Sequence, residues 1–144
     1  MYTVRQILQN KGHQVWSVSP EASVYEALQL MAEKDIGALV VMEADRLVGI
    51  FSERDYARKV ILHGKTSRET RVRQVMTPRV AVIGPEQGTE ECMALMTAKH
   101  IRHLPVMEGE RLIGLISIGD VVKAVISNQE FVISQLENYI TGGR

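Results

Sequence analysis

The chain has 144 residues, 45% of them hydrophobic, which is enough to bury the core of one ordinary domain. Its 17 basic and 17 acidic side chains cancel, so no net field favours nucleic acid or an anionic membrane. A single cysteine, Cys92, excludes an internal disulfide and indicates a reducing compartment, the cytoplasm, and no apolar run approaches the roughly 20 residues that span a bilayer.

The first half of the chain predicts the order strand, helix, strand, strand, helix. An extended segment at 15–19 precedes a helical pattern whose apolar residues share one face: Val24, Ala27, Leu28 and Met31. Two apolar strands, 38–42 and 46–51, flank a short polar turn, which predicts a hairpin. A second helix is expected from residue 53 to residue 64.

The second half repeats this order 65 residues later. Eleven of the twenty-two positions from Lys34 to Asp55 are identical in Lys99 to Asp120. An extended segment at 80–84, a hairpin and a long second helix recur, and the helical face now carries Cys92, Met93 and Met96. Upstream, VRQIL (4–8) corresponds to VRQVM (72–76). The chain is therefore two copies of one unit of about sixty residues.

Each copy predicts an α+β unit in which two helices cover one side of a three-stranded sheet. The bare side of each sheet indicates that the two β-α-β-β-α copies pack sheet to sheet with pseudo-twofold symmetry, leaving two equivalent crevices. We expect the first copy, with its lead-in, at 1–66, the second at 67–128 and a C-terminal helical extension at 129–144.

Both copies end their second hairpin strand in the pattern GxxSxxD, as GIFSERD (49–55) and GLISIGD (114–120). Ser52 and Ser117 precede a helix with an acid three residues later, which is typical of a helix-capping box. The same geometry also suits a ligand, because a helix N-terminus attracts phosphate and a carboxylate can accept hydrogen bonds from ribose hydroxyls. Both interpretations stay open on the motif alone.

The repeated unit, its G-h-h-S-x-x-D ending and the phrase IRHLPV (101–106) together resemble a pair of CBS domains, called a Bateman module. FSERDYARKV with a long C-terminal helix is similar to small bacterial proteins that consist of one such pair. The resemblance covers residues 4–128. It implies a bound adenosyl ligand: AMP, ADP, ATP or, in some members, NAD or S-adenosylmethionine.

The resemblance also implies roles for particular residues. Ribose would bind the motif aspartates, Asp55 and Asp120, with phosphate near Ser52 and Ser117. Adenine would contact the backbone of the opposite copy, which places Ile36 and Gly37 with Asp120, and Ile101 and Arg102 with Asp55. The segment Thr77, Pro78 and Arg79, and His13 before the first strand, complete the candidate nucleotide site.

The two copies differ where positive charge would meet a phosphate. The candidate cations are Arg54, Arg79, Arg102 and His103, and Gly119 and Gly37 stand at the positions equivalent to Arg54 and Arg102. We therefore predict two non-equivalent crevices, with the alternative that one has decayed and stays empty. His100 and His103 lack a further ligand and predict no metal site. Cys92 on the apolar helix face predicts a buried hydrophobe.

Three further features concern partners. Trp16 can pack in the core or stack on a base. The basic run from Arg54 to Arg73 is interleaved with acids and indicates a solvated face, which disfavours a nucleic-acid binder. The C-terminal helix carries one apolar stripe that a single copy cannot cover, so its far end should reach a partner. The resemblance implies a homodimer.

The sequence thus predicts an adenine-nucleotide-binding regulatory module that signals by conformational change in a homodimer. Its output would be an effector protein, a change of assembly or nucleotide sequestration. No nucleophile–base pair, metal set or phosphate-transfer loop occurs in the sequence, so we expect no catalysis and no catalytic cofactor. The alternative is an interaction scaffold in which the GxxSxxD motifs only cap helices.

Overall fold

The computed structural model describes residues 2–140 as an α+β chain with two small sheets. The first copy contains β1 (Ser17–Val18), α2 (Val24–Lys34), β2 (Ala38–Glu43), β3 (Arg46–Ser52) and the short α3 (Glu53–Asp55). The second contains α5 (Thr89–Lys99), β4 (His103–Glu108), β5 (Arg111–Ser117) and α6 (Ile118–Ile140). Each copy has a lead-in helix before it, α1 (Val4–Lys11) and α4 (Val72–Val75).

The described residues form two compact units that cut across the sequence repeat. One, here called the first-copy unit, comprises residues 14–81 and 108–113. The other, the second-copy unit, comprises residues 2–13, 82–107 and 114–140. The predicted boundaries at 66 and 128 follow the sequence repeat and stay predictions, and residues 141–144 of the predicted extension lie outside the described residues.

The lead-in helices are exchanged between the copies. The helix α1 precedes the first copy but belongs to the second-copy unit, where the Val4 and Arg5 amides donate to the carbonyls of Gln87 and Pro85. In the first-copy unit, the Val72 and Arg73 amides of α4 donate in the same way to Ala22 and Pro20. The sequence repeat did not reveal this exchange.

The first-copy unit has a three-stranded sheet in the order β1-β2-β3, with β1 parallel and β3 antiparallel to β2. Its core joins helix, sheet and lead-in residues, all of them buried: Val24, Ala27, Met31, Leu39, Val41, Phe51, Val60, Val72 and Val75. Apolar residues at helical spacing on α2 and in a continuous run on β2 explain why both elements pack there. The predicted helix after β3 continues past Asp55 as a π-helical stretch, Tyr56–Val60, and a 3₁₀ turn, Ile61–His63.

The second-copy unit departs from the predicted three strands. Its opening segment contributes only a parallel bridge between Ile83 and Val106, so the sheet has two strands, β4 and β5. Its buried residues come from both lead-in and copy, including Val4, Leu8, Cys92, Met96, Leu104, Ile116 and Val121. Met93, predicted on the apolar face of α5, is instead 36% exposed. No helix among residues 2–140 is long and apolar enough to cross a membrane.

The two hairpin turns provide a matched pair for a stability test. Ala44 and Gly109 occupy equivalent positions with positive φ, 55° and 63°. Because a Cβ is strained in this region, we expect Ala44→Gly to stabilise the fold by up to about 1 kcal/mol and Gly109→Ala to destabilise it by a similar amount. Urea unfolding of the two variants measures this. Equal signs for the two substitutions would contradict it.

Candidate functional site

The serine and aspartate of each GxxSxxD motif form a complete capping box. In the first copy, the Asp55 amide donates to Ser52 Oγ (3.2 Å), and Asp55 Oδ2 accepts from the Ser52 amide (3.0 Å) and hydroxyl (3.1 Å). Ser117 and Asp120 repeat these contacts at 3.2, 2.8 and 3.0 Å. Each carboxylate is thus fixed at a helix start, and each serine hydroxyl already donates to it.

The glycine of each motif lies against a lead-in segment, Gly114 against α1 and Gly49 against the residues that follow α4. A Cβ on Gly49 would come within 2.6 Å of Met76 Sδ and 3.0 Å of the Thr77 carbonyl oxygen. A Cβ on Gly114 would come within 2.5 Å of Leu8 Cδ2. Real Cβ atoms do not approach other atoms this closely, so both positions require glycine for the lead-in to pack beside the motif strand.

A lysine holds the motif carboxylate in the second-copy unit. Lys11, the last residue of α1, places Nζ 2.6 Å from Asp120 Oδ2 and donates to the Leu115 carbonyl at 2.7 Å. All the hydrogen bonds that Asp120 accepts among the described residues end on Oδ2. The side chain of Asp120 keeps 23% exposure. Its other oxygen, Oδ1, therefore remains able to accept from a ligand.

The first-copy unit reaches a similar result with a different lysine. Lys59, one turn after Asp55, lies 3.0 Å from Asp55 Oδ1 and donates to the Val75 carbonyl of α4 at 3.1 Å. The Thr77 hydroxyl also donates to Asp55 Oδ1, at 3.3 Å. Both oxygens of Asp55 are engaged, and its side chain is only 10% exposed. In each unit a lysine connects the motif aspartate with the lead-in segment.

The charges around Asp120 influence the protonation of two side chains, Asp120 itself and His103. Burial raises the pKa of Asp120, but hydrogen bonds from Lys11 and Ser117 outweigh it and hold the pKa below its ordinary value. Burial first, and then the positive charges of Lys11 and Arg102, lower the pKa of His103, although Asp120 opposes this. At neutral pH the pair is an ionised carboxylate beside a neutral, half-buried imidazole.

The strand starts lie beside the motif helices of their own copies. The Gly37 carbonyl accepts from the Glu53 amide (3.1 Å), and the Arg102 carbonyl accepts from the Ile118 amide (2.8 Å). Two of the first three amides of each motif helix are therefore occupied, one by this carbonyl and one by the serine. Fewer amides are therefore available to a phosphate than at an uncapped helix N-terminus.

Comparison with known proteins identifies the family of the repeated unit. The family model for the CBS domain matches residues 4–62 and 72–127. The chain is a member of the CBS-domain family. Its tandem pair is of a kind that commonly serves as a regulatory module for adenosine ligands.

Relatives cover nearly the whole CBS pair. The chain is 37% identical over 151 residues to the CBS domain-containing protein CBSX3, mitochondrial, of Arabidopsis thaliana, covering 98% of this chain and 73% of that one. It is 32% identical to the CBS domain-containing protein YhcV of Bacillus subtilis, covering 81% and 82%. A solved structure described as a signal-transduction protein with CBS domains, from Burkholderia ambifaria, has 53% identity and a TM-score of 0.86, covering 89% and 96%.

Most predicted site residues gather within one unit or the other of the CBS pair. In the first-copy unit, hydrogen bonds join Ser52 and Thr77 to Asp55, and Gly37 to the neighbouring Glu53. Ile36 and Arg54 are adjacent in sequence, and Pro78 and Arg79 are exposed after Thr77. Ile101, Arg102, His103, Ser117 and Asp120 lie together in the second-copy unit. His13 is exposed after α1. The pairing of adenine with the opposite copy stays a prediction.

Lys11 and Lys59 escaped the sequence analysis, although signals for both were present. Lys59 is four residues after Asp55, the spacing of a helical ion pair. Lys11 matches Arg79 in the lead-in repeat, where we had placed a candidate phosphate partner. The lysine that contacts the motif aspartate therefore comes from a different element in each unit. In the second copy, Ala124 stands at the position equivalent to Lys59, and Lys11 of α1 makes the contact instead.

The remaining candidates have structural explanations. Cys92 is buried, and burial together with Glu91 raises its pKa to about 11, which makes it an unreactive thiol as predicted. Trp16 packs against the core, with Lys34 Nζ 4.2 Å from its ring centre. In the basic run, Arg73 pairs with Glu21 and Glu43. No group of three metal-ligating side chains occurs in the part of the chain that the structure describes.

An open pocket elsewhere in the first-copy unit contains none of the predicted residues. It lies between the β1-β2 edge and the turn of the second hairpin, lined by Val15, Ser17, Val40, Met42, Asp45, Glu108, Glu110, Arg111 and Leu112. Three carboxylates and one guanidinium give it an acidic wall. Its composition does not suit a nucleotide phosphate, so it is not included in the candidate site.

Proposed function

We propose that this CBS pair is a regulatory module that binds an adenine nucleotide, AMP, ADP, ATP or NAD, through Asp55 and Asp120. The observation that carries the proposal is the carboxylate of Asp120, fixed at a helix start, with a lysine 2.6 Å away and one oxygen open. A fixed carboxylate can accept hydrogen bonds from vicinal ribose hydroxyls, and a neighbouring cation can meet the phosphate.

In the second-copy unit, the residues around Asp120 form the more complete set of groups for binding a nucleotide. Lys11 and Arg102 supply positive charge, and His103 can donate from a ring N–H. Since Lys11 already holds Asp120, a ribose hydroxyl bound to Oδ1 would leave that ion pair in place. Binding here would need little rearrangement.

In the first-copy unit, the carboxylate of Asp55 is less accessible to a ligand. Lys59 and Thr77 occupy the oxygen of Asp55 that a ribose would use, so a nucleotide would have to displace at least one of them. Such displacement costs part of the binding free energy, which supports different affinities for the two sites. Calorimetry should then resolve two classes of site.

The lysine contacts suggest how binding is transmitted. Lys59 joins Asp55 to α4, so a ligand at Asp55 competes with a contact that holds this lead-in helix, whereas a ligand on Asp120 Oδ1 would use the carboxylate that Lys11 already holds. We infer that the nucleotide shifts the population of lead-in positions, by no more than its differential affinity for the two arrangements. The proposed state is a homodimer in the cytoplasm, its output passing to an effector protein or to its own assembly.

A non-catalytic interaction scaffold is the second candidate, and one observation favours it. Both capping boxes are complete without any ligand, so helix capping alone accounts for each serine and each aspartate. Lys11 is not explained by capping, because it reaches Asp120 from a different helix. For that reason we place nucleotide binding first.

Titration calorimetry with AMP, ADP, ATP, NAD and S-adenosylmethionine tests the proposal directly. A ligand present at a hundred times its Kd adds about 2.7 kcal/mol to folding stability, so thermal unfolding with each nucleotide is an independent check. We expect heat and stabilisation from at least one adenine nucleotide, and neither from GMP. No response to any adenine nucleotide at millimolar concentration would leave the scaffold as the function.

The neutral state of His103 adds a pH dependence. Its pKa is lowered in the free protein, and a bound phosphate would raise it, so binding should take up a proton and strengthen as pH falls towards and below about 6.5. Calorimetry in buffers of different ionisation enthalpy measures this uptake. We expect His103→Gln to abolish it and His63→Gln, at an exposed helix end, to retain it. Unchanged uptake in His103→Gln would remove the imidazole from the phosphate site.

A further inference from the structure

The C-terminal helix α6 has two apolar faces, one buried and one exposed. Val121 and Ala124 are buried in the second-copy unit, where α6 packs on α1 and α5. From residue 129 to residue 140 every side chain is exposed. The corresponding helix of the first copy ends at His63, so the repeat does not need this extra length.

The exposed face follows a heptad pattern. Apolar or amide side chains recur at the a and d positions through three heptads, in the order Val122, Ile126, Gln129, Ile133, Leu136 and Ile140. The neighbouring g positions are also apolar: Val125, Val132 and Tyr139. Seven of these nine side chains are about half exposed or more: Val122, Ile126, Val132, Ile133, Leu136, Tyr139 and Ile140. A stripe of this width and spacing is typical of a helix that pairs with another helix.

The charges beside the stripe indicate the orientation of the partner. The e positions carry Lys123, Glu130 and Glu137, whereas the g positions are apolar. A parallel pair sets g against e, which would bury valines against glutamates. In an antiparallel pair of identical helices, g faces g and e faces e, so Val132 meets the partner's Val132 and Lys123 meets the partner's Glu137. The antiparallel arrangement therefore matches apolar with apolar at the g positions and Lys123 with the partner's Glu137, and its one like-charge contact is Glu130 with the partner's Glu130.

We propose that residues 122–140 of α6 pair with the same segment of a second copy as an antiparallel helix pair, with its twofold axis level with residue 131. In this register the layers are Ile126 with the partner's Leu136, Ile133 with the partner's Gln129, and Ile140 with the partner's Val122. The seven exposed apolar side chains of the stripe are the surface that such a pair would bury, and specific interfaces bury about 800 Å² per partner. The inference rests on the homodimer proposed above and specifies its surface.

Sedimentation equilibrium on the full chain tests the surface. We expect a dimer whose dissociation constant rises at least about tenfold in Ile133→Glu, because a charge at the centre of the stripe costs 1.4 kcal/mol or more. Ser134→Glu adds the same charge one residue away, outside the stripe, and should leave the dimer unchanged. Both positions are exposed, so circular dichroism should show an intact fold in each variant.

Disulfide cross-linking tests the orientation, in a Cys92→Ala background. Antiparallel pairing places residue 132 within about 3 Å along the axis of its partner copy, and separates the two copies of residue 140 by about 27 Å. We therefore expect Val132→Cys to cross-link and Ile140→Cys to stay reduced. Lys123→Glu should weaken the dimer, and adding Glu137→Lys should restore it.

The outcomes distinguish the helix pair from the homodimer on which it rests. A monomeric chain overturns both the homodimer and the helix pair. A dimer that Ile133→Glu leaves intact overturns only the helix pair and moves the interface elsewhere. Cross-linking of Ile140→Cys without Val132→Cys establishes a parallel pair and overturns the antiparallel register.

Discussion

Asp120→Ala is expected to halve the nucleotide stoichiometry and to remove one class of sites, and Asp55→Ala to remove the other. Each substitution deletes a carboxylate that would accept two hydroxyl hydrogen bonds. Hydrogen bonds to charged groups contribute about 1.5–3 kcal/mol each, so the affected site should lose at least about tenfold in affinity. Calorimetric titration of both variants with the nucleotide that binds the wild type measures the loss.

The two losses should differ in kind. Asp120 keeps one oxygen open, so its site should be the tighter one in the wild-type protein, and its removal should eliminate the first binding phase. Asp55 is engaged by Lys59 and Thr77, so its site should bind more weakly. Loss of the weak phase in Asp120→Ala would reverse the assignment.

A capping control separates ligand binding from helix stability. Ser23 and Glu26 form the same reciprocal capping box at the start of α2, at 3.1 and 3.4 Å, with no predicted ligand role. Glu26→Ala should therefore destabilise the fold by about 1 kcal/mol, as the loss of a cap in Asp55→Ala or Asp120→Ala also would. Unlike those two variants, it should leave nucleotide affinity unchanged. If all three variants keep full affinity, the motif aspartates only cap helices and the scaffold is the better description.

The architecture was predictable because it depends on local patterns written twice. Matched positions 65 residues apart indicated the element order, and the S-x-x-D spacing predicted capping boxes that the structure contains. Helical spacing also identified the buried faces of α2 and α5, apart from Met93. Such features need only neighbours in sequence, so a single sequence is sufficient to reveal them.

The features that escaped prediction depend on contacts between distant segments. The sequence does not show what the glycine of each motif contacts, and only the packed lead-in shows which atoms a Cβ there would meet. The exchange of α1 and α4 between units leaves no trace in the residue spacing, so the match of Lys11 with Arg79 did not show that Lys11 lies beside Asp120, 109 residues away. The prediction of an opening strand in the second copy was wrong for a related reason, because that segment pairs with β4 through a single bridge.

Gly114→Ala should test the role of that glycine and destabilise the fold by about 1–3 kcal/mol, the range for inserting an atom into a packed core. The new Cβ would lie 2.5, 2.8 and 3.2 Å from Leu8 Cδ2, Cδ1 and Cγ. Leu8 is fully buried, so it cannot swing into solvent without undocking α1. Urea unfolding of the single variant gives the size of the clash.

The double variant identifies the cause. Leu8→Ala removes all three atoms that the new Cβ would strike and costs about 2–5 kcal/mol by itself. If the clash is with Leu8, the two losses should not add, and the double variant should fall short of their sum by about 0.5–3 kcal/mol. Gly119→Ala, whose Cβ would meet only Ser117 Oγ at 3.6 Å, serves as the uncrowded control and should not destabilise the fold.

The same substitution links packing to function. Because α1 carries Lys11, loosening α1 in Gly114→Ala should weaken the ion pair with Asp120 and let the pKa of that carboxyl rise towards its ordinary value. Nucleotide affinity at the second-copy site should fall with it, whereas the Asp55 site, with Lys59 and α4, should not change. Additive losses in the double variant, or equal effects on both sites, would show that Gly114 serves something other than the docking of α1.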